Sequence, residues 1–219
     1  MTRSIDMVVF DIDGTLIVHP TGKVVWQHLC HRFGTPIEVN HARLKQHVSG
    51  ELSYADWVRL DIEDWQRAGA RRSQVVDALR EFRLREGARA ALSELQRRGY
   101  RLAAVSGTLD ILVETVFPDH PFERIFSNRI FFDDDGAISG WEATPFDFDG
   151  KATALRELAS DGTVSLERMA FVGDDINDVD AAKAVGFSVA HHPRSEELAA
   201  CCDLIIREGS LEQLLEYLP

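Results

Sequence analysis

Three short apolar runs, each stopping at an oxygen-bearing side chain, constrain this chain more than any other feature. Residues 5–10 stop at Asp11, 101–105 at Ser106-Gly107, and 168–172 at Gly173-Asp174. Runs this short and this continuously apolar predict strands covered on both faces, the condition of a parallel sheet. Helix-period segments fill the intervals: 88–98 stopped by Gly99, 151–159, and 176–185 stopped by Gly186. A glycine just past a helix closes its last turn. Shorter runs at 187–190 and 204–206 predict edge strands, and Ser210 to Gln213 has the spacing of a capping box opening a last helix. Alternating strands and helices make the fold class α/β, a doubly wound parallel sheet.

One connection is too long for that scheme. Asp11 to Arg101 spans 90 positions, whereas a whole βαβ unit needs about 30. Residues 88–98 already supply its crossover helix. Residues 17–86 therefore read as an inserted helical cap, with 1–16 and 87–219 as the core. Apolar residues in the insert recur at helical spacing: Trp26, Leu29, Phe33; Leu52, Trp57, Leu60, Trp65; Val75, Val76, Leu79, Phe82. Ser53 and Asp56 have capping-box spacing. Three of the four tryptophans lie here, and their spacing predicts the insert's own core rather than a binding platform. Between 128 and 141, Asp133-Asp-Asp-Gly136 predicts a hairpin turn.

Composition narrows the partners. A net charge of −12 repels phosphate polymers and anionic surfaces, which argues against nucleic acid or membrane. It leaves room for a small phosphorylated metabolite held by local amides and a cation. At 45% apolar residues the chain carries enough for a core, which excludes disorder. Cys30, Cys201 and Cys202 fit neither a disulfide framework nor zinc-site spacing. With no long apolar span and too short an apolar N-terminal stretch for a signal peptide, the expectation is a soluble, cytoplasmic protein. Nothing in the sequence sets the oligomeric state.

Ligands of open α/β sheets bind beyond the carboxyl ends of the strands. Those ends carry Asp11-Ile-Asp13-Gly14-Thr15, Ser106-Gly107-Thr108, and Gly173-Asp174-Asp175-Ile-Asn177-Asp178. Carboxylates gathered there repel one another, so a hard cation is the natural neutraliser. An all-oxygen donor set suits Mg²⁺. Lys151, opening a helix after the Asp149-Gly150 turn, brings a positive charge to the same edge. Each motif alone is weak. Asp147-Phe-Asp149-Gly150 repeats the DxDG spacing without a buried strand and reads as a plain turn. A calcium loop starting at Asp11 would need Glu at its twelfth position, where Gly22 stands. In order, each at its own strand end, the motifs together are specific.

Together, FDIDGTL, AVSGT, Lys151 and FVGDDINDVD resemble the haloacid-dehalogenase-like hydrolase superfamily, in its phosphoserine-phosphatase-like branch. Ser127-Asn128-Arg129, a strand, an acidic turn and Ser139-Gly140 extend the likeness. The resemblance implies a Rossmann-like core with a helical cap between the first two motifs. It also implies a Mg²⁺-dependent phosphatase of a small phosphate monoester, acting through an aspartyl-phosphate. Asp11 would be the nucleophile and Asp13 the general acid and base. Ser106, the Gly107 amide and Lys151 would hold the phosphoryl group. Asp11, the Asp13 carbonyl and Asp174 would hold the metal, with Asn177 and Asp178 in support.

The chain also departs from that branch. Asp175 stands where Gly or Ser is usual, and Thr108 where many members have a second Gly. The Glu and Arg that grip a phosphoserine substrate correspond, by an ungapped count, to Pro20 and Asp61. Arg59 lies two residues off, about 200° around a helix, and Tyr54 is a candidate for the pocket wall. Two enzyme alternatives stay open: a phosphoserine phosphatase, and a phosphotransferase to a small alcohol. A phosphoaccepting signalling domain is the non-enzyme alternative. It is disfavoured because receivers lack both an acid two residues after the nucleophile and a large insert at this loop. Dehalogenases of the superfamily need neither Asp13 nor a metal, and no GxGxxG supports a dinucleotide enzyme.

Overall fold

The computed structural model describes residues 4–147 and 150–218. In chain order its elements begin with β1 (Met7–Phe10), β2 (Ile17–Val18), α1 (Val25–Arg32), α2 (Ile37–Val48), α3 (Tyr54–Arg67), α4 (Arg72–Leu79) and β3 (Arg83–Leu84). Next come α5 (Ala88–Arg97), β4 (Arg101–Leu109), α6 (Asp110–Val116), β5 (Arg124–Phe132), β6 (Ile138–Glu142) and α7 (Lys151–Ala159). The chain finishes with β7 (Met169–Gly173), α8 (Val179–Ala184), β8 (Phe187–His191), α9 (Glu196–Cys201) and β9 (Leu204–Ile206).

Seven strands form one sheet in the order β6-β5-β4-β1-β7-β8-β9, parallel throughout except for β6. Central β1 is buried along its whole length, as its unbroken apolar sequence requires. Its alternate side chains feed two cores. Val8 and Phe10 pack with Leu92, Leu102 and the insert's Leu29 and Trp65. Met7 and Val9 pack with Phe171 and with Leu155 of α7. Register does the rest: Phe10 lies opposite both Ala104 and Val172, so the residues after each strand arrive level at one edge.

The run at 187–190 is an inner strand rather than an edge, because β9 covers its far side. Strand β4 does not stop at Ser106; it continues to Leu109, with regular pairing broken between Val105 and Leu109. The helix expected over 176–185 opens as a 3₁₀ turn at Ile176–Asp178 before α8. The last helix is 3₁₀ as well, and Ser210 accepts from the Glu212 amide rather than making the expected box with Gln213. The hairpin turn at 133–136 is present, with Gly136 N donating to Asp133 O at 2.9 Å.

Between β2 and β3 the chain makes four helices, footed by the two-stranded ladder those strands form, which pairs Ile17 with Leu84 and Val18 with Arg83. Ser53 caps α3 by accepting from the Asp56 amide. Three helices follow the apolar spacing. The fourth, α2, buries only Asn40, so it leaves no apolar stripe to read. Trp65 is core, stacked on Trp26 at 5.3 Å. Trp26 and Trp57, however, line a cavity, so the tryptophans are only in part the insert's own packing. All three cysteines are free. No described helix is long and apolar enough to cross a membrane.

Candidate active site

Asp11 follows β1 and is 3% exposed. Its Oδ1 lies 2.6 Å from Nζ of Lys151, the first residue of α7. Lys151 is wholly buried, and the same Nζ donates to Asp178 Oδ1, also at 2.6 Å. Burial alone would strip the ammonium of its proton. The Asp11 and Asp178 carboxylates outweigh that and hold the lysine well above its ordinary range. Asp11 feels the reverse: burial raises its pKa, and Lys151 pulls it back.

Asp174 stands level with Asp11, just past β7. It is 1% exposed, and its Oδ1 accepts from Thr15 Oγ1 at 3.0 Å. Desolvation, then the charges of Asp11 and Asp178, push it well above the carboxylate range. The second oxygens, Asp11 Oδ2 and Asp174 Oδ2, are buried with no hydrogen-bond partner. Ligand atoms of Asp11, Asp174 and Asp178 lie within 4.8 Å of one another. Asp178, though, is spent: Oδ1 takes Lys151, and Oδ2 accepts the amides of Asp174 and Asp175 at 2.8 and 3.1 Å. The two orphan oxygens are therefore the ones available to a cation. Gly14, at φ +102°, passes so close that any Cβ there would collide with the Asp174 carboxylate. That brings the backbone next to Asp13 against the same spot. The donor set is all oxygen and fits Mg²⁺.

Asp13 is half-buried, its Oδ2 accepting the Val25 amide from α1 at 2.7 Å. Burial pushes its carboxyl up to about 7, against that hydrogen bond. Ser106 is 2% exposed, and its hydroxyl acts on Asp11. The Gly107 carbonyl is a junction. It accepts Trp26 Nε1 at 2.8 Å from α1, Asn128 Nδ2 at 2.7 Å from β5, and Tyr54 OH at 3.4 Å from α3. Asn177 reaches Asp147 instead of Lys151, Nδ2 to Oδ1 at 2.7 Å.

A cavity of about 230 Å³ opens over these groups. It joins Asp11, Asp13, Ser106 and Gly107 to Trp26, Tyr54, Trp57 and Asp61 of the inserted helices, and to Asp147, Asp175 and Arg194. The structure thus gathers every candidate: Lys151, Asp174 and Asp178 stand behind the cavity, bonded to groups of its floor. Pro20 is exposed and lines nothing here, and Arg59 lies at the surface between Asp56 and Glu63. Asp61 does line the cavity, but Arg43 of α2 is ion-paired to it and to Asp64.

Five participants escaped the sequence reading: Thr15, Arg43, Asp147, Arg194 and the Trp26 indole. Asp147, expected from its sequence in a plain turn, stands in the cavity wall, and a Cβ on Gly107 would collide with it. Its companions Phe148 and Asp149, including the Asp149-Gly150 turn, lie outside the described residues. Arg194 reached the site through its backbone, donating to the Asp174 carbonyl at 2.7 Å. Of these five, only Thr15, inside the first motif, left a usable sequence signal.

Fold and site together define a hydrolase of the haloacid-dehalogenase type. The haloacid dehalogenase-like hydrolase family model matches residues 5–186, and the chain belongs to that family. Within it, the chain is 26% identical over 220 residues to the phosphoserine phosphatase of Methanocaldococcus jannaschii, covering all of both chains. It is 31% identical over 193 residues to the phosphoserine phosphatase SerB2 of Mycobacterium tuberculosis, where it spans 88% of itself but only 45% of that relative. A phosphoserine phosphatase solved as a phospho-aspartyl intermediate analogue superposes with a TM-score of 0.76 at 24% identity. That match covers 99% of this chain and 100% of the other, and it shows the shared fold.

Proposed function

We propose that this chain is a Mg²⁺-dependent phosphatase of a small phosphate monoester. The same proposal divides it into a core, 1–16 and 87–219, and a cap, 17–86, that closes over the substrate. One observation carries it: Asp11 has one oxygen fixed by a buried lysine and the other bare, beside Asp174 and under a cavity floored by Ser106. A carboxylate is a weak nucleophile, so its advantage is placement in line with phosphorus. Asp11 attacks phosphorus and the bond to the ester oxygen breaks. Asp13, protonated near neutral pH, gives its proton to the departing alkoxide. A water then attacks the aspartyl-phosphate, Asp13 takes its proton, and inorganic phosphate leaves. Lys151, Ser106 and the Gly107 amide bear the phosphoryl charge, and Asn177 and Asp178 keep their neighbours in position. The carboxylates of Asp11 and Asp174 and the Asp13 carbonyl would hold Mg²⁺, which supplies charge neutralisation to the transferring group.

The relatives named for phosphoserine favour a second reading, in which phosphoserine is also the substrate here. Against it, Arg194 is the sole cationic side chain among the described residues lining the cavity, and it faces Asp175 at 3.6 Å. A substrate carboxylate buried without a cation costs several kcal/mol. At about 1.4 kcal/mol per tenfold, the handicap on kcat/KM is roughly 10². A panel of metabolite phosphates assayed for phosphate release tests both readings. Release that needs Mg²⁺ is expected, with phosphoethanolamine, glycerol phosphate or pyridoxal phosphate ahead of phosphoserine. Phosphoserine leading them all by tenfold would establish the second reading. Alkyl phosphate formed in added alcohol would instead mark a phosphotransferase.

A further inference from the structure

Arg85 does not line the cavity, yet its guanidinium sits against the turn that carries the first motif. The two-stranded ladder pairs Ile17 with Leu84. One further bond, from the Arg85 amide to the Leu16 carbonyl at 2.8 Å, carries that register a residue on. The side chain then lies beside the turn joining β1 to β2. Its Nε donates to the Thr15 carbonyl at 2.7 Å, and a terminal nitrogen of the same guanidinium donates to the Gly14 carbonyl. Arg85 is half-buried. Burial pulls its pKa down, and among the described residues the Asp174 carboxylate is the charge that works against this.

Two consecutive carbonyls held by one planar fork fix two consecutive peptide planes. A lysine ammonium, a point donor on a flexible stem, does not impose that geometry. The turn has few other restraints on these carbonyls. The Gly14 amide bonds to the Ile17 carbonyl at 2.9 Å, and the amides of Leu16 and Ile17 both go to the Ile12 carbonyl. Gly14 itself stands at φ +102°, a conformation that its missing side chain permits but does not hold. What the turn presents is Thr15. It is wholly buried, and its Oγ1 donates to Asp174 Oδ1 at 3.0 Å. That bond occupies one oxygen of Asp174 and leaves Oδ2 as the bare one. The Gly14 backbone packs against the same carboxylate. A peptide plane that rotated at Thr15 would draw the hydroxyl off Asp174 and free the carboxylate to turn.

We infer that Arg85 is a positioning residue for the metal-binding carboxylate. Forked over the Gly14 and Thr15 carbonyls, it holds the Thr15 hydroxyl on Asp174 and so keeps Asp174 Oδ2 free for Mg²⁺. The inference rests on the proposed Mg²⁺ reading of the site. Carboxylates that bind metals are oriented by hydrogen bonds of their own, and losing those outer contacts costs about 10–100-fold in metal affinity. Arg85 also follows β3, the strand that brings the insert back to the core. The same fork therefore fastens the insert's return to the turn that carries Asp13.

The test measures Mg²⁺ binding to the full chain by calorimetry at pH 8, with circular dichroism as the check on folding. Arg85→Lys keeps the charge and loses the fork. It should weaken Mg²⁺ binding by about tenfold or more and raise the Mg²⁺ concentration for half-maximal phosphate release by the same factor. Thr15→Val, which lacks the hydroxyl, should also weaken binding. The double variant should bind no more weakly than Thr15→Val alone, because both changes act through one bond. If Arg85→Lys fails to fold, Arg85→Gln, which keeps an N–H for one carbonyl, takes its place; if Thr15→Val fails to fold, the Arg85 variant decides alone. Undiminished Mg²⁺ affinity in the Arg85 variant would overturn the inference. So would losses that multiply in the double variant, since Arg85 would then act by a route other than Thr15. Wild-type protein that binds no Mg²⁺ would overturn the metal reading beneath it, and the inference with that reading.

Discussion

The two carboxylates of the first motif differ because their surroundings differ. Asp11 is locked to Lys151 by a 2.6 Å charged hydrogen bond, whereas Asp13 meets only the Val25 amide, and burial carries it to about 7. Asp11→Asn keeps an acceptor for Lys151, and Asp178 still balances the ammonium. The variant should fold and lose turnover by about 10³-fold or more. Phosphate release by protein free of deamidation, beside its circular dichroism, checks this; a tenth of the normal kcat would remove Asp11 from the nucleophile's role. Asp13 makes a sharper claim. A group that must be protonated to act, with its pKa raised to about 7, loses activity as pH climbs past that value. The single-turnover rate of leaving-group release from an alkyl phosphate should therefore fall above pH 7. For p-nitrophenyl phosphate, whose phenolate departs unaided, it should stay level. Asp13→Asn should lower the first rate by about 10²–10⁴-fold and flatten its pH profile, sparing the second. Equal losses for both substrates would show that Asp13 is not the acid.

At the scale of elements, the site is built where helices and strands from distant parts of the chain meet on one carbonyl. Trp26 of α1 reaches Gly107 across 81 positions of sequence, and Asn128 of β5 reaches it across 21. Trp26→Phe deletes one donor and leaves Asn128 in place. A net loss of about 1 kcal/mol is expected, or roughly a fivefold rise in KM with kcat little changed. A change confined to kcat would mean that α1 acts on the chemistry and not on the phosphate-holding loop. The same contacts explain what the sequence showed and what it hid. Strand β1 announced itself because both its faces are buried and all four of its residues are apolar. Its neighbours did so for the same reason, and the strand-end motifs came with them. Helix α2 was silent because it buries one asparagine. Arg43 on α2, which is ion-paired to Asp61, was silent with it. Asp147 resembled an ordinary turn because its partner Asn177 lies 30 positions away. A one-dimensional pattern records burial on its own element, and these roles rest on pairing between elements.

Taken whole, the molecule concentrates like charge at one sheet edge and needs a cation to settle it. Asp11 and Asp174 are raised by desolvation first; Lys151 then pulls Asp11 back against Asp178, while Asp11 and Asp178 push Asp174 higher still. A carboxyl raised in the fold keeps its proton to higher pH than in the unfolded chain. Between the ordinary carboxyl range and about pH 7, the metal-free fold therefore binds more protons than the unfolded chain and loses stability as pH rises. Mg²⁺ must displace those protons, so its binding should strengthen over the same window. At about 100 times its dissociation constant a ligand adds about 2.7 kcal/mol, and for a chain of this size each kcal/mol raises Tm by roughly 2–4 °C. Millimolar Mg²⁺ should therefore raise the melting temperature by about 5–10 °C at pH 8. The rise should shrink steeply by pH 5.5, where protons hold the oxygens. Because the comparison is made with and without Mg²⁺ at each pH, histidines elsewhere, such as His191 with its pKa lowered by burial, cancel from the difference. Asp174→Asn, which removes one of the two orphan oxygens as an anion, should abolish the Mg²⁺ shift at both pH values. A shift of equal size at pH 5.5 and pH 8, or one that survives Asp174→Asn, would place the metal somewhere other than on these two carboxylates.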